Sequence, residues 1–567
     1  MDRRVFIALV CFALVIIVPS LIWPPKPTPK RVDGQTDTLS QAAAVVDSSR
    51  LDSSRAGAPP NQLAVKPSSR LSAPADTVWV TTPLLKVGVS TRGGTIVSAR
   101  LSQYKSYAAG DSGRQVELVP AGRPILGRRI AIGSDTLDLT DLSFAPSTRV
   151  MSVAGDPATL TLTATRGPST ITIAYTFHPD DYRVGVRGRV TGLGPSGAQM
   201  LVSLGDGLRN SEADSSGSFR DYALVTKSSK TEKHAFSSVT EGERSVFDGP
   251  FEWAGIKSKY FLVGALATEP GEAQFAGVVA VGGPRPDSAK GFFGGKSGIA
   301  TEMSVSLTLP VPPAGDFQYS VFLGPLEHRR LAAIGHDMDD ANPYGWAIFR
   351  PIIRWVSILV TNILLAGHES LGVAYGWLLI AFGVLVRLVL WPLNQKAMAS
   401  QMRMQAVAPL LKEVQTKYKN DPERQQKETL KIYKEHNVNP LGGCLPMLIP
   451  YPMLLALYFV FQYMIELRGS SFLWLPDLSR FDPYFILPIV MGLSMFALSK
   501  IGQRGMPANP QTATMLYMMP AMMTFIFLRL SSGLNLYYLV SNLFSLPQQW
   551  MLSQKRLKDQ GKRAGAT

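Results

Sequence analysis

The sequence predicts a multi-domain chain: an all-β sandwich joined to a polytopic α-helical membrane bundle with a polar helical hairpin. Three observations predict it. The 567 residues exceed one ordinary domain. Residues 33–340 are polar with strand-like alternation, whereas long apolar runs dominate from residue 344 onward. The mean hydropathy of +0.09 therefore averages two unlike halves.

The first element is residues 5–23, a nearly unbroken apolar run preceded by Arg3 and Arg4. At about 1.5 Å per residue it matches a hydrocarbon core of about 30 Å. No small-x-small cleavage site follows, and the run ends at Trp23-Pro24-Pro25-Lys26-Pro27. Residues 1–23 read as an uncleaved transmembrane anchor with a cytoplasmic N-terminus. Ala8-Leu9-Val10-Cys11 resembles a lipoprotein signal, but Val10 is bulky and the run continues past Cys11. Residues 24–75, rich in Pro, Ser, Ala, Asp and Gln, cannot bury enough apolar area to fold and read as a flexible linker.

The second element, residues 76–330, reads as an extracytoplasmic β module. Leu160, Leu162 and Ala164 alternate with threonines, Arg166 to Ser169 form a turn, and Ile171, Ile173, Tyr175 and Phe177 alternate back. Tyr182, Val184, Val186 and Val190 oppose Arg183, Arg187 and Arg189, and Met303, Val305, Leu307 and Leu309 repeat the period of two. Half-buried strands of this kind pack as a sandwich.

Catalytic motifs fail at named positions. Gly294-Gly295-Lys296-Ser297 resembles the end of a phosphate loop, but Lys290 stands where its first glycine belongs. His368-Glu369 begins like a zinc-protease motif, but Gly372 replaces the second histidine. The only cysteines, Cys11 and Cys444, sit in apolar segments and support neither a disulfide framework nor a thiolate metal site. No catalytic residue, metal or cofactor is expected.

The third element is the helical half. In residues 344–365, Arg350, Arg354, Ser357 and Thr361 share one helical stripe, with Trp346, Ile348, Phe349, Ile352, Ile353 and Val356 largely elsewhere. This segment reads as an interfacial amphipathic helix. Crossings follow at 373–391, 442–465, 484–501, 514–530 and 533–552, with the core spanning 373–552. Treating 344–365 as interfacial places the loop 394–438, with nine Lys or Arg, in the cytoplasm. Six spans result, both termini lie inside, and residues 553–567 form a basic cytoplasmic tail. The net charge of +15 gathers on these inner flanks, which fits cytoplasmic loops and leaves ribosomal RNA open as a partner.

Arg387 lies inside the 373–391 span, and no acidic residue lies deep in any span to pair with it. An unpaired arginine suits a wet cavity open to the cytoplasm, with snorkelling as the bland alternative. Pro446, Pro450, Pro452, Pro488 and Pro520 interrupt the spans, and Met515, Met518, Met519, Met522 and Met523 crowd one of them. Methionine offers a soft surface for varied apolar partners. The cytoplasmic loop reads as two helices, 395–418 and 423–436, broken at Asn420-Asp421-Pro422.

Several motifs resemble one family. Asn439-Pro440-Leu441-Gly442-Gly443-Cys444-Leu445-Pro446 resembles the NPxGGCxP signature of the bacterial YidC branch of the YidC/Oxa/Alb insertases. Val386-Arg387 with Trp391-Pro392-Leu393, Asp482-Pro483-Tyr484 with Pro488, and Ser532-Gly533-Leu534-Asn535 through Ser541-Asn542 are similar to its later helices. Ser90-Thr91-Arg92-Gly93-Gly94, Gly324-Pro325 and Tyr344-Gly345-Trp346 resemble the periplasmic domain and exit helix of the Gram-negative form.

The resemblance implies a periplasmic supersandwich and a non-enzymatic insertase and chaperone of the inner membrane. Client helices would enter a hydrophilic groove at Arg387 and leave along a slide of Tyr451, Pro452, Leu454, Ile526, Phe527 and Tyr538. Arg529 stands where an aromatic residue is common. Implied partners are nascent membrane proteins, the Sec translocon, membrane lipids, and the ribosome and signal recognition particle receptor through the hairpin and basic tail. The alternatives are a transporter or channel, which needs paired intramembrane charges or an inverted repeat, and an anchored enzyme or carbohydrate binder.

Overall fold

The computed structural model describes residues 76–133, 135–193, 197–268, 274–284, 300–342, 344–345, 350–419, 421–436, 450–504 and 510–564. The anchor, the linker, the 294–297 glycine loop and the 439–446 motif lie outside them. The chain divides into two compact units: Met1–Pro325 with Ile334–Asp337, and Leu326–Ala333 with Met338–Thr567.

The first unit is the all-β sandwich. Among the described residues it contains a five-stranded, a six-stranded and a nine-stranded sheet. The alternation at 160–177 becomes strands Ala158–Arg166 and Ser169–Phe177, paired antiparallel with Ile173 opposite Leu162. Strand Arg183–Val190 continues the sheet, with Val184 and Val186 buried. Its outward Arg189 makes a two-pronged pair with Asp316 at 2.6 and 2.9 Å. Burying each aliphatic or aromatic side chain contributes about 1.5–3 kcal/mol.

The inner faces of the nine- and six-stranded sheets meet at Arg128, which is fully buried. Its Nε donates to Tyr319 Oη at 3.0 Å and its Nη2 to Tyr175 Oη at 2.9 Å. Its Nη1 reaches the Gly94 carbonyl at 3.4 Å, which also accepts from Tyr175 at 2.5 Å. That carbonyl is presented by a turn in which Gly93 and Gly94 have φ of 74° and 58°. A Cβ at Gly93 would lie 2.9 Å from the Thr140 backbone, so glycine is required there.

The second unit is a helical bundle. Among the described residues its long helices are α1 (Arg350–Leu371), α2 (Tyr375–Lys417), α3 (Pro422–Glu435), α4 (Pro450–Tyr463), α5 (Ile486–Gly502), α6 (Pro510–Phe527) and α7 (Ser532–Ala564). Leu379, Leu457, Phe461, Leu478 and Met491 fill its interior. Its exterior is apolar as well: Trp355, Trp377, Leu388, Leu493 and Phe525 are all exposed. Helix α1 and the Tyr375–Pro392 part of α2 are long and apolar enough to cross a bilayer, while Met453–Tyr463, Ile486–Gly502 and Leu516–Phe527 are apolar but shorter.

Two helices differ from the sequence reading. The expected break between the first crossing and the hairpin is absent, and α2 runs unbroken for 43 residues, roughly 65 Å. Pro392 alone does not end it. The turn comes at Tyr418, and Asp421 caps α3 by accepting the Arg424 N–H at 3.0 Å, with Pro422 at the first position.

The polar stripe of α1 is met largely by protein. Ser357 is 2% exposed, and its hydroxyl donates to the Ala456 carbonyl of α4 at 3.4 Å. Arg354 turns back to Asp339 at 2.9 Å and Asp340 at 2.8 Å, and Arg350 reaches Asp340 at 3.3 Å. The exposed stripe is instead Ile352, Trp355, Leu359 and Ile363. A helix whose polar groups find protein partners is free to offer its apolar side to lipid.

Candidate functional site

Helix α2 carries Arg387, and α7 holds it. One turn earlier, a Cβ at Gly383 would lie 3.3 Å from Val540 and 3.5 Å from Tyr537, so the two helices approach closely. This approach places Arg387 Nε 2.6 Å from Ser541 Oγ. The guanidinium is half-buried and makes no ion pair among the described residues. Of its five N–H groups, that bond uses one, and the others can serve water or a carboxylate. A charge at such depth in an apolar bundle costs about 2.5–3.5 kcal/mol on insertion scales unless it is wetted or paired.

The slide residues divide. Tyr451 and Pro452 belong to α4, and their side chains lie outside the described set. Leu454 is half-buried on the same helix. On α6, Ile526 is exposed, whereas Phe527 turns inward. Its ring meets Tyr538 of α7 edge-on, at 5.0 Å between centroids. Tyr538 lies three residues before Ser541, hence on the same side of α7 as the Arg387 contact. Arg529 is exposed just beyond α6. Among the methionines, Met518 is exposed and Met523 packs against the core.

The sequence reading missed what α7 does. Besides Ser541, its Asn542 donates to Ser494 of α5 at 3.0 Å, and Asn535 donates to the Phe527 carbonyl at the end of α6 at 3.1 Å. Asn535 and Asn542 are seven residues apart, on one helical face. Two asparagines with that spacing in an apolar run were the available signal.

Two titrating groups outside the spans are displaced by burial. His328 is lowered, chiefly by desolvation, although Asp339 at 3.8 Å opposes the shift. In the sandwich, burial pushes Lys257 down to about 8 against the attraction of Asp221.

A β sandwich followed by a bundle that is apolar inside and out defines a class: membrane proteins that carry a large β domain. Residues 77–356 match the YidC periplasmic domain, and residues 366–560 match the 60Kd inner membrane protein family. The chain is 30% identical over 584 aligned positions to the membrane protein insertase YidC of Syntrophus aciditrophicus, covering 98% of this chain and 100% of that one. It is 29% identical over 583 positions to the same-named protein of Chloroherpeton thalassium, covering 98% and 96%. A crystal structure of an active YidC insertase with its first transmembrane domain resolved is similar at 18% identity, with a TM-score of 0.31, over 84% of this chain and 92% of that one.

The chain belongs to the YidC family of membrane protein insertases. It is therefore a non-enzymatic inner-membrane protein whose clients are membrane proteins.

Proposed function

We propose that client helices enter from the cytoplasm through a hydrophilic groove lined by Arg387, and that the chain also acts as a folding chaperone for them. The observation that carries this reading is the half-buried guanidinium held by Ser541 without a carboxylate. It keeps the groove wet and attracts acidic client residues. The client then passes into lipid beside Tyr451, Pro452, Leu454, Ile526, Phe527 and Tyr538. Burial of client apolar surface, at about 25 cal/mol per Å², supplies the driving force without nucleotide hydrolysis.

In this reading the domain boundaries follow the sequence: anchor 1–23, linker 24–75, periplasmic sandwich 76–330, interfacial helix 344–365, core 373–552 with hairpin 394–438, and tail 553–567. Both termini are cytoplasmic. The hairpin and tail offer basic surface to the ribosome and the signal recognition particle receptor, and the chain works alone or beside the Sec translocon.

The test is rescue of cells depleted of their own insertase. The wild-type chain restores insertion, and Arg387→Ala lowers it by about tenfold for clients with acidic translocated segments, on the scale of one lost charge-assisted hydrogen bond. Arg387→Lys retains most of it. Full rescue by a chain lacking residues 344–567 overturns the insertase core. Unimpaired insertion of every client by Arg387→Ala overturns the groove charge alone.

A further inference from the structure

We propose that the loop between α4 and α5 is a lipid anchor, which sets Leu473 and Trp474 into the membrane leaflet at the end of the bundle away from the α2–α3 hairpin. The loop lies where α2 starts: Phe472 meets Trp377 edge-on, at 5.3 Å between centroids. The hairpin lies at the other end of the same rod. In the proposed topology this leaflet is the periplasmic one, and only that sidedness rests on the topology.

The tip of the loop is a two-residue turn closed by Phe472 and Leu475, which exchange backbone hydrogen bonds at 2.9 Å each. Leu473 takes the first position of this turn at φ 53°. Such turns favour glycine where they open at positive φ, and a branched side chain there is strained. Packing in a core could offset that strain, but Leu473 is 71% exposed and gains nothing of the kind from the fold. Phe485, at the far end of the loop, repeats the combination: φ is 57°, and the side chain is exposed although its ring stacks on Phe481. Twice, then, the chain holds a large apolar residue outward in a conformation that disfavours it.

The polar groups of the loop are used up inside it. No exposed residue between 469 and 486 is charged: Asp477 and Asp482 are buried and Arg480 is half-buried. Asp482 accepts the Tyr484 and Leu487 N–H groups at 3.0 and 2.7 Å, and it takes the Trp474 indole N–H at 3.4 Å. The indole therefore points its one polar atom inward and leaves hydrocarbon at the surface. Ser532 and Gly533 at the start of α7 pin the loop from beneath, donating to the Arg480 and Leu478 carbonyls. The outward surface runs on without a break into exposed Ile486, Ile489 and Leu493 of α5. This continuity with the apolar exterior of the bundle selects lipid as the occupant. A non-helical backbone stays out of the hydrocarbon core, so the side chains alone enter, at the boundary of headgroups and acyl chains.

The probe is an environment-sensitive NBD label on Leu473→Cys, in the full chain carrying Cys11→Ser and Cys444→Ser, with one chain per lipid nanodisc. The same label on Gln426→Cys, an exposed position of the hairpin, is the water reference. Quenching is read with a lipid spin-labelled near the top of its acyl chain and with aqueous iodide. The spin-labelled lipid quenches the Leu473 label at least about twofold more than the Gln426 label, and iodide does the reverse. Without any label, the fluorescence of the wild-type chain minus that of Trp474→Phe is blue-shifted and quenched by a brominated lipid. Equal iodide quenching at the two labelled positions puts the loop in water and overturns the proposal. A Leu473 label shielded from both quenchers is covered by protein, which overturns lipid as the partner. A nanodisc exposes both leaflets, so the depth reading stands whichever side the loop lies on, and its failure is distinct from a failure of the topology.

Discussion

Arg128 and Arg387 are both arginines held without a carboxylate, and they differ in how fully the protein satisfies them. Arg128 finds two tyrosine hydroxyls and a carbonyl and is sealed within the sandwich. Arg387 finds one serine hydroxyl. The first arrangement serves stability and the second leaves donors for something else. Arg128→Leu strands the Tyr319 hydroxyl in the core and leaves Tyr175 only its bond to the Gly94 carbonyl. It should destabilise the β unit by about 2–4 kcal/mol, measured by urea unfolding with tryptophan fluorescence. The two differ in legibility as well. An arginine inside an apolar span stands out in the sequence, whereas Arg128-Arg129 reads as an ordinary polar step in a strand. Only the pairing of Met200 with Ile130 and of Leu201 with Arg129 decides which arginine points inward.

Lys257 gives a pH test at the same scale. Unfolded, it holds its proton up to about 10.5, but folded only up to about 8. The cost of burying the charge is therefore fully present below pH 8 and fades as pH rises toward 10.5. Lys257→Met removes that cost. The stability of Lys257→Met minus that of wild type should fall between pH 8 and 10, by at most about 1.4 kcal/mol per pH unit. Parallel curves across that window count against the burial effect.

At the scale of elements, α1 and α7 show where sequence patterns stop. The stripe of Arg350, Arg354, Ser357 and Thr361 was legible, but its destination was not. Periodicity states that four residues share a face and is silent on whether water or protein meets it. Here Asp339 and Asp340 supply the partners of the two arginines, from a 3₁₀ turn eleven and ten residues before Arg350, and the Ala456 carbonyl accepts from Ser357. Arg354→Ala leaves the buried Asp339 carboxylate with poorer company. It should loosen the first turns of α1 by about 1–2 kcal/mol, a value discounted for the partial exposure of Arg354. Faster hydrogen exchange over residues 350–357, with the rest of α1 unchanged, is the measurement. On α7, Asn542→Leu should loosen α5 from α7 by about 1–2 kcal/mol, since Ser494 loses its side-chain partner. The inward turn of Phe527 was equally hidden, because neighbouring residues on a helix differ by about 100° and only the contact with Tyr538 tells which one is inside.

At the scale of the whole molecule, the chain joins two units stabilised in different solvents. The sandwich gains from removing apolar side chains from water, whereas the bundle is apolar on both sides and depends on the surrounding lipid. Calorimetry of the full chain should give two transitions. Changing acyl-chain length in the nanodisc should move one by several degrees and leave the other in place. A single transition that moves as a whole contradicts this division. Alternating strands made the first unit legible, and apolar runs made the second, since both are local periodicities. Hydrogen bonds such as Arg387 to Ser541, 154 positions apart, have no local signature.

The unbroken α2 has a mechanical consequence. From Arg387 to its end at Lys417 the rod extends about 45 Å, while the other arm, back to Tyr375, is about 18 Å. Pivoted at the Ser541 contact, a tilt of about 5° at the arginine swings the far tip by about 4 Å. The geometry is that of an unequal-armed lever. A body pressing on the long arm works at a mechanical advantage, and a small rearrangement around the fulcrum is read out at the tip as a large displacement.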